Sequence, residues 1–150
     1  MSRKEKAWDD LYKRLRGLNS AVDVGVFGGR SKKSQDLVTI AAANEYGTTD
    51  GHIPARPFIR GTLSDEKTKA ELDVIRAKIA KGIAIGRITK NQGLDLLGSW
   101  LAAAVQKYMV RRPTPFVKNA PSTIAKKGSN RPLIDTGHLR QSITWRKAKK

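Results

Sequence analysis

The sequence contains no cysteine, which excludes disulfide bonds and thiolate metal sites. It also lacks an apolar run long enough to cross a membrane, and no segment has the composition of a signal-peptide core. Histidine occurs at two positions, His52 and His138, and neither lies in a recognised metal-ligand motif. We therefore predict no metal site, and we expect no membrane segment in this chain.

Acidic residues are also scarce, because thirteen Asp and Glu stand against thirty Lys and Arg and the formal net charge is +17. This charge predicts attraction to nucleic acid, an acidic membrane or an acidic protein surface. The last forty residues contain eleven basic residues and one acid, Asp135. No recognised nucleic-acid-binding motif accompanies the charge, so it favours a non-specific electrostatic role over the reading of base sequence.

No set of residues has the spacing of a catalytic site. Ser64 and Ser99 lack the sequence context of a nucleophile elbow. A glycine pair precedes Lys32 and Lys33, but a Walker-type phosphate loop needs glycine directly before its Lys-Ser pair, and Lys32 occupies that position. We therefore predict a protein that is not an enzyme and that has no catalytic residues and no cofactor.

Hydrophobic periodicity predicts an α+β fold in which a small antiparallel sheet is packed by about four helices. The whole chain, residues 1–150, is expected to form a single domain. The first helix has one apolar face and is expected to pack on the body with its basic face in solvent. The predicted elements are helices at 3–18, 35–46, 64–85 and 89–108 and strands near 21–28 and 142–147.

Two segments without apolar periodicity are predicted to be mobile loops, near residues 30–34 and 112–131. The second of these should contain a short helical turn at residues 122–126. Another helical turn, at residues 138–141, is expected before the last strand, and a basic tail occupies 147–150. The structural turn that leads into the last strand consists of Asp135, Thr136 and Gly137.

Residues 44–61 combine a glycine-containing turn with a proline-stiffened arm at residues 52–58. Pro54 and Pro57 fix their own backbone and push the preceding residue towards extended geometry. Arginine and aromatic side chains often anchor protein interfaces, so the arm is either a docking element or an ordinary loop that leads into a helix. Its candidate contact residues are Ile53, Pro54, Arg56, Pro57, Phe58 and Arg60.

Five short motifs follow one another along the chain. They are residues 24–27 (VGVF), 42–47 (AANEYG), 53–58 (IPARPF), 97–98 with 105–106 (LG and VQ) and 133–143 (LIDTGHLRQSI). In this order they resemble the HK97 gp10-like family of tail-completion, or head–tail joining, proteins of tailed bacteriophages. They are also similar to the minor tail proteins called Z in lambdoid phages.

The resemblance implies an α+β subunit that assembles as a ring, typically a hexamer, at the head-proximal end of the tail. Such a ring completes the tail and helps to join it to the head connector. The implied location is the virion neck, assembled in the host bacterial cytoplasm. The implied partners are further copies of the chain, tail terminator or tail tube proteins, and head connector or adaptor proteins, without a membrane. The resemblance brings no catalytic residues with it.

The basic excess is expected to contact packaged DNA non-specifically or to meet acidic surfaces of neighbouring proteins. The candidate residues for this role are Arg30, Lys32, Lys33, Lys126, Lys127 and Arg131. A basic, non-specific DNA-binding module is the alternative hypothesis, because the charge by itself favours it. A dedicated DNA-binding protein would bind free duplex with an affinity that falls steeply as salt rises.

Overall fold

The computed structural model describes residues 2–16, 20–29, 36–111, 114–133 and 137–149. Within these ranges the chain forms seven helices and a two-stranded antiparallel sheet, which confirms the predicted α+β class. The elements in chain order are α1 (Arg3–Leu15), β1 (Val22–Gly25), α2 (Leu37–Tyr46), α3 (Phe58–Ser64), α4 (Glu66–Ala84), α5 (Lys90–Met109), α6 (Pro121–Lys127), α7 (His138–Gln141) and β2 (Thr144–Lys147).

Four of the helices, α1, α2, α4 and α5, begin where a side chain caps the first turn. Asp36 accepts hydrogen bonds from two backbone N–H groups of α2, and Asp65 accepts one from Thr68 in α4. Thr89 and Gln92 form the predicted capping box at the start of α5. These starts depend on residues within three positions of one another, which is why the sequence reveals them.

The structure has three more helices than the four predicted. Two of them, α6 and α7, coincide with the predicted short helical turns. The third, α3, was not predicted as a separate element: it begins at Phe58, the last residue of the segment 52–58, and ends where the next predicted helix begins. The helix α1 ends at Leu15, before the predicted end at residue 18, because Arg16 adopts extended backbone.

A close helical hairpin is formed by α4 and α5. Gly93 of α5 lies so near α4 that a Cβ atom there would come within 2.8 Å of Ile79 and 3.0 Å of Ile83. The apolar stripe of α4 faces its neighbours: Ile83 is buried, and Leu72, Ile75 and Ile79 are half-buried.

The sheet packs on α5. Val24 of β1 lies opposite Trp145 of β2, so the predicted antiparallel pairing is confirmed. A Cβ atom at Gly98 of α5 would overlap the Trp145 indole, and glycine therefore lets the strand approach the helix. Gln106 Nε2 donates to the Ile143 carbonyl oxygen at 3.1 Å and ties the end of α5 to the start of β2.

The hydrophobic core surrounds the second half of α5. Phe58 and Val105 are fully buried at its centre. Within the predicted loop at 112–131, the described residues 114–131 contribute Phe116 to this core and contain α6, so this part is folded onto the body; the mobility of the loop stays a prediction. The buried core cluster consists of Ala41, Phe58, Ala102, Val105, Met109, Phe116, Leu133, Leu139 and Ile143. No helix in the described part of the chain is long and apolar enough to cross a bilayer.

Candidate functional site

Glu45 is a buried carboxylate that joins α2 to α3. Its side chain accepts hydrogen bonds from the Ile59 backbone N–H at 2.9 Å and from the Arg60 backbone N–H at 3.0 Å. The first N–H groups of a helix have no partner within the helix, and Pro57, which precedes α3, provides no side-chain cap. Glu45 therefore supplies from α2 the cap that the local sequence lacks.

Arg60 completes this contact from the solvent side. Its Nε donates to the Glu45 carboxylate at 3.0 Å and its Nη2 donates to the Glu45 carbonyl oxygen at 2.8 Å. The guanidinium also lies 4.5 Å from the centre of the exposed Tyr46 ring. The pairing holds the Arg60 side chain in place, so an exposed arginine and an exposed tyrosine stand together beside the buried carboxylate.

The turn after α2 is closed by glycine and by short polar contacts. Gly47 has a φ of 76°, and a Cβ atom there would lie 2.9 Å from the Ala55 backbone nitrogen. Thr48 N–H donates to the Ile53 carbonyl oxygen at 2.9 Å. Asp50 accepts from the Thr48 hydroxyl, and this hydrogen bond lowers the pKa of the Asp50 carboxyl group. The turn is thus a compact unit rather than a flexible lead into the arm.

Arg56 lies inside the protein and ties the arm to the segment after α5. Its Nε donates to the Val117 carbonyl oxygen at 2.9 Å, and its Nη2 donates to the Lys118 carbonyl oxygen at 3.3 Å and to Asn119 Oδ1 at 3.2 Å. Asn119 Nδ2 in turn donates to the Arg131 carbonyl oxygen at 3.1 Å. Burial lowers the pKa of the Arg56 guanidinium.

These positions correct the predicted contact arm. Arg56 is 7% exposed and Phe58 is 0% exposed, so neither side chain projects from the subunit to anchor a neighbouring ring subunit, although Arg56 lines a cleft beside this segment. The prediction that the segment contacts another protein stays a prediction for the remaining candidates. Those at least partly accessible at the surface are Ile53, Pro54, Pro57 and Arg60.

A cleft of about 750 Å³ opens beside this segment. One wall is α2 with the turn at residues 51–56, and the other is formed by residues 118–127 and 133–139. The volume lies in the range of small-ligand and peptide sites, about 300–1,000 Å³. Its apolar lining residues are Leu37, Ile40, Ala43, Ile53, Pro54, Ala120, Leu133 and Leu139, and its basic ones are His52, Arg56, Lys118, Lys127 and His138.

Both histidines of the chain lie on this cleft, although they are far apart in sequence. The His52 side chain is 84% exposed, as predicted for a surface loop residue, and its Nδ1 lies 3.2 Å from Asp50 Oδ2. His138 is half-buried at the start of α7. Within the described ranges, no group of three or more His, Cys, Asp or Glu side chains is arranged to hold a metal ion.

The predicted basic residues and turn residues lie in different parts of the structure. Lys127 lines the cleft and donates to the Arg131 carbonyl oxygen at 3.3 Å, whereas Lys126 is exposed on the same helix. Arg131 lines a second cleft, of about 550 Å³, which shares Lys118 and Asn119 with the first. Gly137 has a φ of 76° and is the N-cap of α7, as the predicted turn requires. The candidates that lie outside the described residues are Arg30, Lys32, Lys33, Asp135 and Thr136.

The N-terminal helix presents an aromatic face that the prediction of a packing helix did not anticipate. Trp8 is 71% exposed and Tyr12 is 67% exposed. The helix packs mainly on α4, and Arg14 Nη1 donates to the Ala84 carbonyl oxygen at 3.2 Å. That contact fastens the C-terminal end of α1 but leaves its two large aromatic side chains in solvent.

No family model matches the chain, and comparison with curated proteins and with solved structures found no match. The resemblance to the tail-completion family is therefore carried by its five motifs.

Proposed function

We propose that this chain is a structural subunit of the neck of a tailed bacteriophage. In this role it forms a ring, typically of six copies, at the head-proximal end of the tail, completes the tail and joins it to the head connector. The observation that carries the proposal is the exposed aromatic face of α1. Trp8 and Tyr12 lie one helical turn apart and form a contiguous apolar patch; such patches are typical of interaction sites, and Trp and Tyr are frequent anchors of interfaces.

The exposed area of Trp8 and Tyr12 limits how much free energy this face of α1 can contribute to association. Burying a Trp or Tyr side chain removes about 150–250 Å² from water, and Trp8 and Tyr12 remain 71% and 67% exposed. Together they leave about 200–350 Å² for a partner, worth about 5–9 kcal/mol at about 25 cal/mol per Å². Association itself costs about 4–15 kcal/mol. The pair can therefore anchor an interface but needs further contacts to hold a ring.

The motifs that carry the family resemblance also support the proposal. Gly98 of one motif lies against Trp145, two positions after the last motif, and Gln106 donates to the carbonyl oxygen of Ile143, which ends that motif. Glu45 of a third motif caps α3, which begins at the end of a fourth. The motif residues thus have specific packing roles in one core, as expected for a sequence pattern that specifies a common subunit fold.

Sedimentation velocity and negative-stain imaging test the proposal with the purified protein, alone over a range of concentrations and mixed with isolated tails. The informative variant combines Trp8→Ser with Tyr12→Ser, and its matched control combines Lys6→Ser with Lys13→Ser on the opposite face of α1. We expect the wild type and the control to form rings or to bind tails. The aromatic variant should remain a folded monomer.

Normal assembly of the aromatic variant would exclude α1 as the interface. The second candidate function, a non-specific DNA-binding module, is favoured by the net charge of +17. A wild-type protein that stays monomeric with and without tails, yet binds free duplex with steep salt dependence, would support that function and overturn the neck proposal.

A further inference from the structure

The Arg56 guanidinium has hydrogen-bonding capacity that the subunit does not use. A guanidinium carries five N–H donors, and the three bonds that Arg56 makes use Nε and Nη2. Its Nη1 makes no hydrogen bond within the described residues. No buried side-chain N or O atom in the same ranges lacks a partner, so Nη1 is accessible to solvent. Arg56 also lines the cleft.

The positive charge of Arg56 is also uncompensated in its contacts. All three acceptors are neutral carbonyl oxygens, from Val117, Lys118 and Asn119. No ion pair with an acidic side chain holds Arg56 in the described part of the chain. The neutral acceptors fix the guanidinium in one orientation and leave its charge directed at whatever occupies the cleft. Such preorganisation lowers the ordering cost of binding an anion.

The other lining residues of the cleft suit a ligand that has both an acidic group and aliphatic side chains. The described lining residues include Lys118 and Lys127 and no Asp or Glu. Seven aliphatic side chains and one proline share the same surface, including Leu133, whose backbone has a positive φ of 61°. The described lining contains no Phe, Tyr or Trp on which a nucleotide base could stack. These features favour an acidic peptide over a nucleic acid.

We propose that this cleft binds a short extended segment of a partner protein, in which a carboxylate flanked by aliphatic side chains meets Arg56 and Lys118. The carboxylate accepts a charge-assisted hydrogen bond from Arg56 Nη1, and the Lys118 ammonium group supplies a second positive charge at the rim. The flanking aliphatic side chains pack on the apolar wall formed by α2 and Leu139. This binding does not depend on ring formation by α1.

Fluorescence anisotropy with labelled peptides tests this site on the full chain. The probe is a short fluorescein-labelled peptide in which leucine and glutamate alternate, and its neutral counterpart has glutamine in place of glutamate. A labelled oligothymidylate of similar length is the third probe. The protein variants are Lys118→Glu, Thr123→Trp, which fills the cleft, and Lys126→Glu, which makes the same charge change at an exposed position outside the cleft.

We expect the acidic peptide to bind at least tenfold more tightly than the neutral one. The charge-assisted hydrogen bond to Arg56, worth about 1.5–3 kcal/mol, corresponds to at least a tenfold difference between the two peptides. Lys118→Glu replaces attraction at the exposed rim by repulsion and should weaken binding of the acidic peptide by more than about threefold. Thr123→Trp should also weaken it, while Lys126→Glu should change it less than about threefold. Arg56→Lys is not used as a test variant, because it would also break the hydrogen bonds of Arg56 to residues 117–119 and so disturb the cleft itself.

Three results would overturn the proposal. Equal binding of the two peptides would show that no carboxylate is recognised. Equal losses for Lys118→Glu and Lys126→Glu would show attraction to the overall charge rather than to the cleft. Oligothymidylate binding that is stronger than peptide binding and sensitive to Thr123→Trp would assign the cleft to nucleic acid. The variant that combines Trp8→Ser with Tyr12→Ser should bind the peptide normally, which separates this site from the proposed ring interface.

Discussion

The carboxylate of Glu45 should be among the most important single polar groups for the stability of this fold. Glu45→Ala removes both acceptors of the Ile59 and Arg60 backbone N–H groups and leaves the first turn of α3 uncapped. It also removes the partner of Arg60 Nε at 3.0 Å. The side chain of Glu45 is 5% exposed, so water does not replace it without rearrangement of α3.

The expected loss follows from these groups. A buried donor left without a partner costs about 1–3 kcal/mol, and the two backbone donors are only partly buried, so together they account for about 2–4 kcal/mol. The Arg60 side chain is 55% exposed and can be rehydrated, so its ion pair adds about 0–1 kcal/mol. We expect Glu45→Ala to lower the free energy of unfolding by about 3 kcal/mol, against a typical total of about 5–15 kcal/mol.

Urea denaturation followed by circular dichroism measures this loss. The matched control is Glu66→Ala, because the Glu66 side chain is 89% exposed and pairs with Lys69 on the surface of α4. That control should cost less than about 1 kcal/mol. Glu45→Gln keeps one acceptor oxygen and should give an intermediate loss. A Glu45→Ala loss no larger than that of Glu66→Ala would refute the idea that Glu45 holds α3 in place.

Three further substitutions test other contacts. Gly98→Ala places a Cβ atom against the Trp145 indole, so urea denaturation should show a free energy of unfolding lower by about 1–3 kcal/mol. A free energy of unfolding higher by about 1 kcal/mol, as helix propensity alone would give, would contradict the close contact. Gly137→Val forces a branched residue to a φ of 76°, and thermal unfolding should show a melting temperature lower by at least about 2–4 °C; an unchanged value would contradict the strain. A hydrogen bond from Arg111 lowers the pKa of Asp65 below its ordinary 3.8, so the Asp65 carboxylate stabilises the fold at neutral pH. The stability difference between wild type and Asp65→Asn should therefore be greatest above pH 3.8 and shrink as pH falls through the folded-state pKa; a difference independent of pH would argue against this linkage.

Local signals were sufficient where a contact joins residues close in sequence. The capping box of Thr89 and Gln92 marked the start of α5 correctly, and alternating valines marked β1. The pairing of the first and last strands was also predicted, although it joins distant residues, because the sequence indicates two strands and each needs a partner. The positive φ of Gly137 was expected from its place in a turn before α7.

Local signals in the sequence did not indicate α3, and they did not indicate that Arg56, in the segment before it, is buried. A Pro-Phe-Ile-Arg-Gly run has weak helix propensity, and α3 forms because Glu45 caps it from another helix. Arg56 has the sequence context of an exposed interface residue. Its burial depends on acceptors at residues 117–119, more than sixty positions away, and no periodicity in the sequence indicates that contact.

The α+β class and most helix starts can be read from the sequence, because hydrogen-bonded caps and apolar periodicity act over a few residues. The strand pairing joins distant residues and was predicted because the sequence indicates two strands, each of which needs partners for its backbone hydrogen-bonding groups. Tertiary structure alone decided which polar groups lie inside and which aromatic groups lie outside. Arg56 and Glu45 are buried because distant backbone groups satisfy them, and Trp8 and Tyr12 are exposed because α1 packs mainly on α4. Whether a side chain is buried depends on which residues pack around it, and folding brings those residues together from distant parts of the chain.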